Sequence, residues 1–208
     1  MFLLVESTGI MLSNKQERKQ EMRTDLILRA AARLIDKIGY TNLTMEILAD
    51  EVGISRPTLY KHFANIQEVV ATIVIRGYEQ AIQYMQAINR QPAIRQLEAM
   101  LRYLFNISHE PSGFGSTLIY DELQRVLNDN QEVNSQYHQI ISMLNRLIEQ
   151  AKASRDVRDD LANEVIIAMM FSLVEVSALG RTSQTKLRYD EIVDQVVTVF
   201  FNGLRPKH

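Results

Sequence analysis

A chain of 208 residues has room for one large core or two small ones, and its 46% hydrophobic and 23% charged residues are ordinary for a globular protein. The absence of cysteine excludes a disulfide framework, a zinc ribbon and a thiol nucleophile, which agrees with a reducing cytosol and a cytoplasmic protein. A net charge of −2 at pH 7 excludes indiscriminate coating of nucleic acid, whose strength scales with the phosphates neutralised, so any contact with DNA must be local.

At the amino end Phe2-Leu3-Leu4-Val5 is apolar, but Glu6 ends the run, no basic residue precedes it and no small-residue cleavage site follows, so a signal peptide is not expected. The polar stretch from Ser13 to Gln20 points to a flexible arm over residues 1–22. From Thr24, a good N-cap, the residues Ile27, Ala31, Leu34 and Ile38 recur at three- and four-residue steps and predict a helix that Gly39 stops. Thr44 caps a second, short helix with Glu46 in its first turn and an apolar side of Ile47, Leu48 and Val52, ended by Gly53. A third helix starts after Ser55, and Pro57 is tolerated in its first turn, where N–H groups lack intrahelical partners anyway.

The stretch TMEILADEVGISRPTLYKHF, Thr44 to Phe63, therefore reads as two short helices crossing steeply around a tight turn, a helix-turn-helix. Ala49 is small where the second helix must approach the third, and Gly53 takes the positive φ of the turn without a Cβ clash. Leu48, Val52, Ile54 and Leu59 are expected to pack on Ile27, Ala31, Leu34 and Ile38, with Phe63 closing the core. The outward side chains Arg56, Thr58, Tyr60, Lys61 and His62 make a polar and amphipathic face that a major groove accepts, or that water solvates. Because caps, turn glycine, apolar positions and this basic-aromatic face coincide, residues 23–65 are expected to bind double-stranded DNA.

Beyond Phe63, helical periodicity runs over roughly 66–90, 93–108, 115–128, 131–154, 159–180 and 188–204, parted by breaks around Pro92, Pro111-Ser112-Gly113 and Gly180. No strand-like alternation is sustained and no repeat recurs at a fixed spacing, so an all-α protein is predicted, with a larger helical domain over residues 66–208. The longest apolar run, Val165 to Val174, is about half the roughly 20 residues of a membrane span. Leu161 to Leu179 is apolar nearly all round and must be buried on more than one side. The last helix is striped, with Val193, Val196, Val197, Phe200 and Leu204 on one face. One short recognition helix reads few bases, so such proteins bind palindromic sites as dimers, and these two helices suit a dimeric four-helix bundle.

The stretch ILRAAARLIDKIGYTNLTMEILADEVGISRPTLYKHFANIQEVV, residues 27–70, resembles the TetR family of bacterial regulators. It carries that family's glycine-aromatic turn at Gly39-Tyr40, threonine cap at Thr44 and Leu-Tyr-x-x-Phe ending at Leu59 to Phe63; beyond it only the helical layout is similar. The resemblance implies that Thr44 and Tyr60 hold phosphates, that Arg56, Thr58 and His62 face base edges, and that Lys61 does either. Ser55 and Pro57 open the same helix and complete the expected DNA-contacting set. One departure is Ile66, which stands where the family commonly has a phosphate-contacting lysine at the start of its fourth helix. Lys15, Arg18, Lys19 and Arg23 of the arm either compensate for that lost contact or merely solubilise the chain.

The resemblance further implies a homodimer formed through the last two long helices and a repressor released from a palindromic operator by a small apolar or amphipathic effector. The effector would sit among the fourth to eighth helices, with Tyr78, Ile82, Met85, Leu101, Phe105, Phe114, Leu118, Glu122, Met143, Met169 and Phe171 as candidate lining residues. Met and aromatic side chains adapt to varied apolar guests, though the same residues fill ordinary helical cores. Glu175 follows the apolar run directly and, if buried, needs a hydrogen bond, a counter-charge or a cationic ligand. No cofactor is implied.

An enzyme is disfavoured by the lack of a Glu-x-x-His pair, a phosphate-cradling Gly-rich loop and a Gly-x-Ser-x-Gly elbow. His109 and His138 have no second His or carboxylate at the i+4 spacing of a helical metal site, so no metal is expected. A helical dimeric interaction module without DNA binding is the other rival, and Arg56, Thr58 and Lys61 together count against it.

Overall fold

The computed structural model describes residues 3–109, 130–175 and 187–206, with side chains from Arg18 onward and excepting Glu175. All described regular structure is helical: α1 Leu3–Ile38, α2 Met45–Val52, α3 Arg56–Tyr60, α4 Ile66–Ala87, α5 Ala93–His109, α6 Gln131–Ala153, α7 Asn163–Glu175 and α8 Tyr189–Leu204. The chain divides between Thr72 and Ile73 into two compact units.

In the first unit α1 starts well before Thr24, which lies inside the helix rather than at its N-cap. Between Ile10 and Ile38 there is no Gly or Pro, and the Lys, Gln, Glu, Arg and Met residues there favour helix, so nothing local stops it. Ile27, Leu28, Ala31, Ala32, Leu34 and Ile35 are buried, and they pack chiefly against α2. At Gly39 the backbone takes φ 80° and ψ 156°, a region nearly closed to other residues, and a 3-10 turn over Tyr40–Asn42 follows. Asn42 closes the helix end by donating to the Ile38 carbonyl at 2.7 Å.

The apolar side of α2 differs from expectation. Ile47 is 38% exposed, whereas Met45, Leu48 and Ala49 are buried. At helical spacing residues 45, 48, 49 and 52 share one stripe, which packs toward α1, and residue 47 falls off it. Leu43, just before the cap, is also buried.

In the second unit α5 packs against α6, α7 and α8, so it is the element on which that bundle is built. Its Leu97, Met100, Leu101, Leu104 and Phe105 are buried, as are Ile140, Leu144 and Ile148 of α6 and Val193 and Val197 of α8, helices that pack against it. Polar links fix α8 on α5: Arg102 donates to Asp194 at 2.5 Å, Tyr189 donates its hydroxyl to the Phe105 carbonyl at 2.6 Å, and the His109 and Tyr189 rings stack at 3.7 Å. Between α6 and α7, Arg155 adopts φ 60° and Val157 turns inward to burial. Arg158 then joins the end of α8 by donating its backbone N–H to the Leu204 carbonyl at 2.8 Å.

Candidate nucleic-acid interface

The reading head is assembled by caps and one turn. Thr44, in extended conformation, accepts from the Ile47 N–H at 3.2 Å, so its hydroxyl proton remains available to a phosphate oxygen. Gly53 sits at φ 70°, ψ 35°, the left-handed conformation the turn requires. Ser55 accepts from the Thr58 N–H at 3.3 Å, and the Ser55 and Thr58 hydroxyls share a hydrogen bond at 2.8 Å. Pro57 follows in the first turn, and Leu59 is fully buried, which anchors α3 by one apolar side chain.

That leaves Arg56, Pro57, Tyr60 and Lys61 exposed on one side of α3, with Thr58 half-buried above them. Tyr60 is 53% exposed, a large aromatic held out into water by a helix too short to hide it. Arg56 is not free: it pairs with Glu46, in the first turn of α2, and both side chains are more than half exposed. His62 is half-buried and turned toward α1, where its Nδ1 lies 3.2 Å from the Thr24 hydroxyl. Burial, and then the nearby Arg23 charge, hold the His62 imidazole below its ordinary pKa.

Ile66, the departure noted above, is buried, so an apolar side chain is tucked in where a lysine would reach outward. The adjacent turn is closed on itself. Asn65 accepts from the Glu68 N–H at 2.8 Å while the Glu68 carboxylate accepts from the Ala64 N–H at 2.6 Å. The Asn-x-x-Glu spacing was the available sequence signal for this cap. Nothing in the sequence signalled the Glu46–Arg56 pair, because its partners lie ten residues apart across a turn. Arg18, Lys19 and Arg23 are exposed on α1, and the side chain of Lys15 lies outside the described residues.

The candidate effector residues separate into groups. Tyr78, Ile82, Leu101 and Phe105 are buried in the second unit, Phe105 and Leu101 completely. Met85, which is also buried, and half-buried Met143 border an open groove of about 490 Å³ among α4, α5 and α6, with Leu147 and the polar residues Gln86, Asn89, Gln96, Gln139, Ser142, Arg146 and Gln150. Gln96 is nearly buried and its amide donates to the Asn89 and Gln91 carbonyls, at 3.3 and 2.7 Å. Met169 is 49% exposed and Phe171 half-buried, and Met169 shares an outward stripe of its helix with Val165. Phe114, Leu118 and Glu122 lie outside the described residues, as does the side chain of Glu175. Among the described residues no cluster of metal-ligating side chains occurs, and no helix is long and apolar enough to cross a membrane.

The model of bacterial regulatory proteins of the TetR family matches residues 27–73. Over 164 residues the chain is 23% identical to the nucleoid occlusion factor SlmA of Shewanella pealeana, spanning 78% of this chain and 82% of that protein. Over 87 residues it is 32% identical to the HTH-type transcriptional regulator EthR of Mycobacterium tuberculosis, 42% of this chain and 40% of that one. The fold is similar to that of AibR in complex with isovaleryl coenzyme A and operator DNA, with a TM-score of 0.73 at 18% identity, covering 86% of this chain and 98% of that one.

Proposed function

We propose that this chain, a member of the TetR family of bacterial regulatory proteins, is a cytoplasmic transcriptional repressor that leaves a palindromic operator when a small amphipathic effector binds. It is a DNA-binding regulator that works as a homodimer, not an enzyme. The observation that carries this reading is the head itself: Thr44 and Ser55 cap two short helices about Gly53, and Arg56, Tyr60 and Lys61 face outward from the second. The reading heads of two protomers would address half-sites about one helical turn apart, roughly 34 Å.

For the effector we favour the groove bordered by Met85, Met143 and Leu147. Its amide-rich rim suits a ligand with hydrogen-bonding groups beside an apolar part, which narrows an apolar-or-amphipathic expectation to the amphipathic side. AibR, whose fold is similar, was crystallised with a ligand of that kind and with operator DNA together. Helix α4 runs from Ile66 to Ala87 and belongs to both units, so it is the element through which effector binding would act on the head.

The test is binding to duplex from the gene's own upstream region at several salt concentrations. Specific association with a steep loss of affinity as salt rises is expected. Failure to prefer any genomic fragment at any salt concentration would refute DNA regulation.

A further inference from the structure

We propose that Glu46 is a specificity-determining residue of the reading head, acting by holding the Arg56 guanidinium in position for a base edge. This rests on the reading of Arg56 as a base-contacting residue. The turn at Gly53 lays the first residue of α3 across the first turn of α2, and there the Glu46 carboxylate meets an Arg56 amino group. Both side chains are more than half exposed, so water screens the attraction and the pair does little for folding. Its effect lies in geometry. A guanidinium carries five N–H donors in a rigid plane, and Glu46 occupies one end of that fork, leaving the rest directed outward. An arginine already held in place loses less freedom when it grips a guanine edge.

Glu46 also penalises the wrong complex. On a non-cognate duplex the favourable course for Arg56 is to swing to a phosphate, which strands an unpaired carboxylate beside a polyanion. On the cognate site Arg56 keeps both partners, the base edge and Glu46. The carboxylate therefore widens the gap between cognate and non-cognate binding while lowering affinity for DNA in general. Arg33 and Glu51 form another ion pair of this head, at 3.8 Å between α1 and α2. That pair involves no residue of α3 and predicts no such effect.

The experiment uses the full-length protein and the operator duplex that the wild type recovers from a randomised pool, beside a scrambled duplex of equal length. Binding of wild type, Glu46→Gln, Arg56→Ala and the double variant is measured by fluorescence anisotropy, with thermal unfolding as a control. Glu46→Gln should bind the scrambled duplex several-fold more tightly and narrow the operator preference by about tenfold. In the Arg56→Ala background the same change should leave the preference unaltered, because the residue it positions is gone. If Glu46→Gln keeps the full preference while Arg56→Ala reduces it, the positioning role is wrong and the base-reading role of Arg56 survives. If Arg56→Ala keeps the full preference, the base-reading role falls and this proposal with it.

Discussion

Single residues set what this head can do, and at His62 the surroundings act on the charge. The folded protein holds its imidazole below the ordinary value, first through burial and then through the charge of Arg23, so the folded state resists taking up a proton that the unfolded chain accepts near pH 6.5. Above that pH both states are neutral and His62 costs nothing. As pH falls through 6.5 toward the depressed folded value, the unfolded chain binds more protons and stability is lost. Thermal unfolding from about pH 7.5 to about pH 5.5 should therefore show a falling midpoint that Glu and Asp titration alone does not produce, and His62→Gln should flatten the fall. An equal fall in both proteins would dismiss the residue. His62 was expected on the base-reading face; its bond to Thr24 arises because α1 passes beside the end of α3, a tertiary fact that no local pattern encodes. Gly53 was legible for the opposite reason: a left-handed turn demands glycine by sterics alone. The burial of Ile66 was legible only in part, since a missing lysine is visible in a string of letters and an inward-facing isoleucine is not.

At the scale of elements, α3 poses the sharpest question, because five residues are too few to hold a helix by backbone bonds alone. Buried Leu59 supplies one restraint and the Ser55 side chain the other. Ser55→Ala should lower stability by about 1 kcal/mol in urea denaturation, the usual cost of a lost N-cap. Ser55→Asp keeps a capping oxygen at the amino end of the helix and adds a charge facing DNA, so stability should hold while operator binding collapses. Equal loss of stability in both variants would show that the cap is not what Ser55 contributes. The capped starts of α2 and α3 could be read in advance because a cap is a local, three-residue event. The register of α2 could not be read fully: Ile47 looks as apolar as Met45, and only packing against α1 decides which of them turns inward. The start of α1 was misplaced because Thr24 is a competent cap in a segment whose other residues already favour helix, so a plausible signal outweighed the absence of any stop.

For the whole molecule, the sequence placed an all-round apolar segment and a striped last helix near the carboxyl end and inferred a partner from them. In one protomer Ile166, Ile167, Met170 and Val174 of α7 and Val193, Val197 and Phe200 of α8 are buried, which uses one face of each helix. The other faces carry Val165 and Met169, each 49% exposed, and Val199, 73% exposed. Apolar side chains spaced along two helices in this way suit a second surface, and on the proposed reading a homodimer built on α7 and α8 would supply it with the two-fold symmetry a palindrome requires. Such a pairing would multiply the affinities of two weak heads, so a charge placed on that face should act on DNA from outside the DNA-binding unit. Val199→Glu with Met169→Glu is expected to convert the protein to monomers in sedimentation at micromolar concentration and to reduce operator affinity by about a hundredfold, toward that of a single head. Thermal unfolding of the head should be unchanged, because residues 1–72 form a unit of their own. A variant that stays dimeric would place the two-fold contact elsewhere. A variant that becomes monomeric yet binds the full operator as tightly as before would show that one head suffices, and would remove the reason for the palindrome.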